Sequence, residues 1–163
     1  MYLAGMTNIY RPVTAGSIWY TIVSFFLSVF LFDTYFYWTH RFMHWRPVFK
    51  YLHLEHHRSV TPTPFAIFAF SPWEAIIQFF GLALLIVFLP LCPLVLMLFL
   101  SYDTRMNAGG HNGFEIIPSW VEKVPVLNRL NTVRHHDMHH TNVAVNYGSF
   151  TNVWDRWMGT FKD

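Results

Sequence analysis

Histidine is the residue type in this sequence that is best suited to carry chemistry. The chain of 163 residues contains ten histidines, all of them outside its two long apolar blocks. Nine of the ten fall into four groups along the chain: His40 and His44; His53, His56 and His57; His111; and His136, His139 and His140. Positions i, i+3 and i+4 of a helix share one face, so each of the three larger groups directs two or three imidazoles toward one point.

This number of imidazoles predicts metal binding. Neutral imidazole binds iron, zinc, copper or nickel, whereas calcium and magnesium prefer cages of oxygen ligands. Nine or ten imidazoles are enough for two metal ions, each with four or five ligands and an open position for oxygen or substrate. Spacing alone does not identify the metal. The single Cys92 excludes disulfide frameworks, thiolate zinc fingers and iron–sulfur clusters held within the chain.

Five further residues are candidates for the metal sites or their surroundings: His135, Asn107, Glu115, Asp137 and Asp155. Asn107 and Glu115 lie four residues before and after His111, so either could complete a coordination sphere, directly or through water, as could His135. Helix capping or a solvated loop is the alternative for Asn107 and Glu115. Asp137 and Asp155 are expected to accept the spare ring N–H of a ligand histidine, with surface ion pairing as the alternative.

The elements that position these residues are predicted to be membrane helices. Hydrophobic residues make up 53% of the chain and charged residues only 12%, which excludes a disordered protein. A net charge of +2 is too small to indicate a nucleic-acid binder. Residues 17–38 contain one ionisable side chain, Asp33, and are long enough to cross a bilayer. We expect a retained transmembrane helix here, not a signal peptide; the buried core of a soluble protein is the alternative.

The second apolar block, residues 65–106, is predicted to form a membrane hairpin. Pro90 and Pro93 interrupt it, so the turn is expected at residues 89–93 between arms at 73–89 and 94–106. Helical arms of these lengths extend only about 20–25 Å, which suggests tilted or partly inserted helices.

Charge determines the expected orientation of the first helix. Its entry carries only Arg11, whereas its exit is followed by four basic residues: Arg41, Arg46, Lys50 and Arg58. The positive-inside rule places this exit in the cytoplasm, and a hairpin returns residues 107–163 to the same side. All four histidine groups then meet on one membrane face. The predicted fold is an all-α integral membrane protein of one domain, residues 1–163, with a cytosolic histidine-rich cap that holds two metal ions.

The order and spacing of these motifs resemble the membrane-bound fatty acid hydroxylase and sterol desaturase superfamily. The family pattern His-x-x-x-His, His-x-x-His-His, a central His and a final His-x-x-His-His is matched by all nine grouped histidines. Residues 61–66, Asn146-Tyr-Gly148 and the sequence from Trp154 to Thr160 are most similar to C5 sterol desaturases. The central motif commonly has a second His, absent here, and members often have more N-terminal transmembrane sequence, so the chain resembles a short or truncated member.

The resemblance implies a non-haem di-iron oxidoreductase that uses O2 to hydroxylate or desaturate a C–H bond of a membrane lipid. A sterol or sterol-like substrate is favoured; fatty acyl chains and carotenoids are alternatives within the superfamily, and a histidine-rich metal transporter is an alternative of another class. The sequence lacks dinucleotide and haem-attachment motifs, so electrons are expected from a cytochrome b5-, ferredoxin- or rubredoxin-like partner. Arg41, Arg46, Lys50, Arg58 and Arg134 offer this partner a basic face. The expected location is the endoplasmic reticulum or a bacterial inner membrane.

Overall fold

A computed structural model describes residues 5–9, 18–59 and 63–163 of the chain. Arg11, Ser17 and the pair Thr61 and Pro62, which entered the sequence analysis, lie outside the described residues. The α-helices are α1 (Ile18–Met43), α2 (Arg46–Leu52), α3 (Leu54–His57), α4 (Pro72–Phe88), α5 (Pro93–Gly110), α6 (Val133–Thr141) and α7 (Val153–Met158). Short 3₁₀ helices lie at Pro64–Phe68, Val121–Lys123 and Leu127–Arg129. The described residues form no strand, which confirms the all-α prediction.

Helix α1 is longer than the apolar segment at residues 17–38 that predicts it. It continues through the polar residues His40 and Arg41 to Met43, because cationic or polar side chains do not end a helix and are favourable in its last turn. Within the described ranges, α1 is the one helix that is both long and apolar enough to cross a membrane; α4 is apolar but shorter.

Helices α4 and α5 run antiparallel beside α1. Ser71 caps α4, since its Oγ accepts a hydrogen bond from the Glu74 N–H at 3.1 Å. Pro93 starts α5, where the missing N–H of proline costs no helical hydrogen bond. The Tyr20 hydroxyl donates to the Pro90 carbonyl at 2.6 Å, so the turn between α4 and α5 lies beside the beginning of α1. The histidine-bearing ends of α1 and α5 therefore lie at the other end of the bundle.

The core of the bundle is aromatic. Phe32, Leu85, Phe99 and Phe150 form a buried cluster to which α1, α4, α5 and the segment before α7 each contribute one side chain. The rings of Phe32 and Phe99 pack edge to face with centroids 5.3 Å apart. Helices α1 and α4 approach closely at Gly81, where a Cβ would lie 2.5 Å from the Tyr35 ring.

A buried carboxylate fixes the C-terminal segment to α1. Asp33 is 4% exposed and accepts hydrogen bonds from the backbone N–H of Phe150 at 2.8 Å and of Thr151 at 3.3 Å, and from the Thr151 hydroxyl at 2.5 Å. One turn later, Tyr37 and Thr160 share a hydrogen bond of 3.0 Å between their hydroxyls. These bonds bring the residues around α6 against the end of α1 that carries His40.

Replacing Asp33 should loosen this attachment. Asp33→Ala leaves two backbone N–H groups and a hydroxyl near a buried void, so we expect the free energy of unfolding in detergent to fall by about 2–3 kcal/mol. Asp33→Asn keeps one oxygen acceptor and should lose about half as much. Chemical denaturation monitored by tryptophan fluorescence measures both. Glu122→Ala, which removes an exposed ion pair with Arg134, is the control and should cost under about 1 kcal/mol. An alanine variant as stable as the unmodified protein would refute the role of Asp33.

Candidate metal centre

The structure brings nine of the ten histidines into two adjacent groups. The first group, which we call the five-histidine group, consists of His40, His44, His53, His57 and His139. The second, the four-histidine group, consists of His56, His111, His136 and His140. Within each group, one ring nitrogen from every residue lies within 4.8 Å of all the others. The two groups are in contact, since the ring centroids of His57 and His140 are 4.8 Å apart.

Each group draws on three parts of the chain. The end of α1, the α2–α3 segment and α6 build the five-histidine group, whereas α3, the C-terminal end of α5 and α6 build the four-histidine group. Helix α6 is shared: His139 turns toward the first group, while His136 and His140 turn toward the second. Because α6 has only nine residues, its contribution depends on how firmly its ends are fixed.

The tenth histidine fixes the start of α6. Thr132 is the N-cap, and its side chain accepts a hydrogen bond from the His135 N–H. In return, Nδ1 of His135 accepts from the Thr132 N–H at 3.2 Å. This is a capping box in which histidine takes the place of the usual Glu or Gln. His135 therefore belongs to neither histidine group, and its Nε2 lies 3.5 Å from Asp163.

Backbone carbonyls set the orientation of several rings. Nδ1 of His40 lies 2.8 Å from the Tyr147 carbonyl, and Nδ1 of His139 lies 2.7 Å from the Val145 carbonyl. In the other group, Nδ1 of His111 lies 2.7 Å from the Asn107 carbonyl, and Nδ1 of His56 lies 3.2 Å from the Ala69 carbonyl. A carbonyl only accepts hydrogen bonds, so each of these Nδ1 atoms carries the proton and each Nε2 presents a lone pair.

These lone pairs face one another. The Nε2 atoms of His56 and His111 are 3.3 Å apart, too close for two acceptors unless a cation lies between them. The Nε2 of His139 is likewise buried and has no hydrogen-bond partner in the described part of the protein. Burial and the neighbouring imidazoles lower the pKa of His56, His57 and His140 to about 3, so these rings are neutral at physiological pH.

A carboxylate performs the same orienting role for His53. Glu74, at the start of α4, is 4% exposed, and its Oε1 lies 2.8 Å from Nδ1 of His53. This contact orients the His53 ring, whose Nε2 lies 2.9 Å from Nε2 of His40. Sequence reasoning missed Glu74; its one signal is a carboxylate at the beginning of an otherwise apolar helix.

The donor atoms fit metal ions. Imidazole nitrogens bind iron and zinc at about 2.0–2.1 Å, so neighbouring ligands at right angles come about 3 Å apart. The observed Nε2 separations of neighbouring rings, 2.9 to 3.3 Å, match that spacing in both groups.

The other candidates from the sequence lie around the two groups, not within them. Asn107 acts through its backbone carbonyl on His111, while its side-chain amide donates to Asp103 at 2.9 Å. Glu115 is exposed and accepts from the backbone N–H of Ile117 and Arg134. Asp137 is half-buried and is not a member of either group.

Asp155 acts through the loop of the Asn-Tyr-Gly motif. Its carboxylate is fully buried and accepts from the backbone N–H of Tyr147 and of Gly148, both at 2.8 Å. A side chain at Gly148 would overlap the Thr151 carbonyl, so the loop can close only around glycine. Asp155 thus positions the Tyr147 carbonyl that holds His40.

Glu55 shows the simpler surface role. It forms an exposed ion pair of 2.7 Å with Arg58 and contacts no ring of the two histidine groups.

A cavity of about 310 Å³ opens beside the histidines. Its inner wall includes His40 and His53 of the first group and His56, His111 and His136 of the second. Six phenylalanines form part of the remaining wall, among them Phe36 of α1, Phe99 of α5 and Phe70, which follows the 3₁₀ helix Pro64–Phe68. Phe68 and Phe79, 71% and 66% exposed, lie at its mouth. An apolar guest can therefore reach both histidine groups.

Comparison with known proteins supports the resemblance inferred from the motifs. The family model for fatty acid hydroxylase matches residues 25–160. A Delta(7)-sterol 5(6)-desaturase of Gibberella zeae is 32% identical over 97% of this chain and 43% of its own length. The corresponding figures are 32%, 87% and 46% for the human lathosterol oxidase, and 31%, 86% and 36% for the Saccharomyces cerevisiae Delta(7)-sterol 5(6)-desaturase.

The chain spans less than half the length of each of these three relatives. No solved structure matches it. Since the family model covers most of the chain and includes all nine grouped histidines, the chain belongs to the fatty acid hydroxylase family as a sterol desaturase-like member.

Proposed function

We propose that the nine grouped histidines hold two iron ions and that the chain catalyses O2-dependent hydroxylation or desaturation of a membrane lipid. The observation that carries this proposal is the pair of inward-facing lone-pair sets beside an apolar cavity. Family membership and the names of the relatives support iron and oxidation of a sterol or sterol-like lipid, ahead of an acyl or carotenoid substrate.

The proposed iron ions and the protein contribute different parts of the reaction. When bound, two iron ions supply the O2 and redox chemistry that removes hydrogen from an unactivated C–H bond. The protein would contribute uncharged nitrogen ligands in sets of five and four, which would leave room at each ion for oxygen. Backbone carbonyls and Glu74 hold the rings, so that little reorganisation accompanies metal binding.

The cavity positions the substrate. Five histidines, drawn from both groups, line it. A substrate carbon held in the cavity therefore lies beside both proposed metal sites. Its aromatic walls bind an apolar body and exclude water from the reacting carbon. A flat, rigid lipid fits such a wall at a low entropic cost, because it has few rotatable bonds to order.

The proposed membrane arrangement places α1, α4 and α5 in the bilayer. Only 22% of the most apolar stretch of α1 is buried inside the protein, so most of this stretch is free to contact lipid. Exposed Trp19 and Trp38 are separated by nineteen residues, about 28 Å of helix, which matches a hydrocarbon core of about 30 Å between two interfacial aromatic belts. The histidine groups then lie at the cytoplasmic surface of an endoplasmic-reticulum or bacterial inner membrane.

An external electron-transfer protein remains part of the proposal. Arg46 and Lys50 are exposed on α2, directly before the His53 motif, and offer an acidic partner a basic face. The structure gives the other basic residues additional roles: Arg41 donates to the Tyr37 hydroxyl, Arg58 pairs with Glu55, and Arg134 pairs with Asp163 and Glu122. A docking partner therefore has α2 as its most accessible basic surface.

The ligand assignment is tested by comparing neighbouring histidines on α6. His139→Ala removes a lone pair from the five-histidine group, so we expect loss of about one iron per chain and of lipid oxidation. His135→Gln should retain both, because Gln at this position preserves the capping box. Iron content by mass spectrometry and product analysis with NADH, a reductase and O2 measure the outcome. Full turnover by His139→Ala, or equal iron loss in both variants, would contradict the assignment.

Glu74 tests the orientation of His53. Glu74→Ala removes the acceptor for Nδ1, and iron affinity should fall about 10- to 100-fold. Glu74→Gln keeps an acceptor oxygen of the same reach and should restore most of the affinity. Competition with a chelator of known affinity measures the change, and circular dichroism checks that the helices remain. Equal affinities for the alanine variant and the unmodified protein would show that His53 needs no carboxylate.

The orientation is tested with single cysteines. In a Cys92→Ser background, Lys50→Cys and Lys123→Cys should react with an impermeant maleimide from the cytoplasmic side of sealed vesicles. Met6→Cys, whose neighbour Asn8 is bonded to Val87 near the turn between α4 and α5, should react only from the opposite side. Labelling of all three positions from one side would refute the proposed topology.

A further inference from the structure

The cavity beside the histidines contains an unexpected polar group. Asp103 lies on α5 and forms part of the cavity wall near Phe99 and Leu100. One carboxylate oxygen, Oδ1, accepts from the Asn107 side chain at 2.9 Å. Among the described residues, no hydrogen bond or ion pair involves the other oxygen, Oδ2, and no basic side chain pairs with Asp103. A carboxylate in an apolar wall is costly unless something donates to it.

Asp103 lies on the same face of α5 as Asn107 and precedes His111 of the four-histidine group by eight residues. Residues 103, 107 and 111 follow one another at intervals of four along α5, and Asn107 links the two ends: its amide holds Asp103 and its carbonyl holds His111. Eight residues correspond to about 12 Å along the helix, and the His111 side chain leans back toward Asp103. A guest bound at Asp103 therefore extends directly to the four-histidine group.

We propose that Asp103 binds the hydroxyl group of the substrate, so that the cavity selects a lipid alcohol over lipids that lack a free O–H. This inference rests on the proposed function, in which the substrate is a sterol or sterol-like lipid; the polar group of a sterol is a hydroxyl. A hydroxyl donates to a carboxylate in a short, strong hydrogen bond. A fatty acid carboxylate, in contrast, is repelled by the like charge.

Besides the histidines, four other polar side chains line the cavity: Glu74 and Gln78 from α4, and Thr104 and Asn107 from α5. Glu74 contacts His53 and Asn107 donates to Asp103, so Gln78 is the competing anchor that the test includes. Asp103 is the better anchor for two reasons. It is charged, and its orientation is already fixed by Asn107, so binding a hydroxyl orders no further side chain. No hydrogen bond to a described residue orients Gln78, whose amide would have to be ordered by the guest.

The test compares a Δ7-sterol that has a free 3-hydroxyl with its 3-methyl ether, which has the same ring carbons but no O–H. For the unmodified full-length protein we expect kcat/KM to be about 10- to 100-fold higher for the sterol. In Asp103→Leu the value for the sterol should fall to that for the ether. Asp103→Asn, which keeps an oxygen acceptor, should recover part of the preference. Iron content should be unchanged in both variants.

Gln78→Leu is the matched control on the opposite wall and should keep the preference. If this variant loses the preference while Asp103→Leu keeps it, or if the unmodified protein does not distinguish the two lipids, the proposal is overturned.

Binding separates this inference from the proposed function. Zinc-loaded protein in detergent is titrated with each lipid by equilibrium dialysis, which requires no turnover. Tighter binding of the sterol that disappears in Asp103→Leu supports the anchor even if the iron-loaded protein oxidises neither lipid, an outcome that would refute the proposed function alone. Equal binding of the two lipids by the unmodified protein refutes the anchor even if both are oxidised.

Discussion

The structure depends on holding nine uncharged imidazoles with their lone pairs turned inward. Lone pairs 3 Å apart repel one another, and a buried polar atom without a partner costs about 1–3 kcal/mol, so the arrangement opposes folding until cations occupy it. Fixed carbonyls at Tyr147, Val145, Asn107 and Ala69 prevent the rings from turning to hydrogen-bond with each other. The same fixed groups suit the two histidine groups to the metal binding proposed for them.

Buried carboxylates connect the helical bundle to those rings. Asp33 binds the backbone at Phe150 and Thr151, Asp155 binds the backbone at Tyr147, and Glu74 contacts His53 directly. Each acts at a junction between distant parts of the chain. The bundle alone would place only His40 and His111; these junctions align α3 and α6 with them.

The sequence predicts the histidine positions well because helical spacing is a local property. The groups at 40/44, 53/56/57 and 136/139/140 follow from i, i+3 and i+4 geometry, and Pro90 and Pro93 indicate where α4 and α5 separate. The division into groups of five and four is not a local property. His56 and His57 are adjacent yet belong to different groups, because α3, which carries both residues, lies between the two groups. The role of Glu74 depends on the packing of α4 against α2, which no spacing rule reveals.

The same distinction explains His135 and Asp103. His135 is a histidine next to His136, so its sequence context suggests a ligand. Its place at the third position of α6 makes it a capping residue instead. Asp103 has the sequence context of a residue near a helix end, yet the 3₁₀ segment Pro64–Phe68 packs against α5 and encloses it in the cavity wall. Local sequence fixes which atoms a residue offers; the packing of distant segments decides what those atoms meet.

The proposed depth of the centre in the membrane follows from α1. Trp38 is exposed and lies only two residues, about 3 Å of helix, before His40. If Trp38 marks the interface, the ligands begin at the level of the lipid headgroups. The cavity mouth at Phe68 and Phe79 then faces the acyl region beside them. A lipid can enter sideways from the acyl region and bring a carbon to the imidazoles. In this proposed arrangement, lipid reaches the histidine groups from the α4–α5 side, and the α2 side faces water.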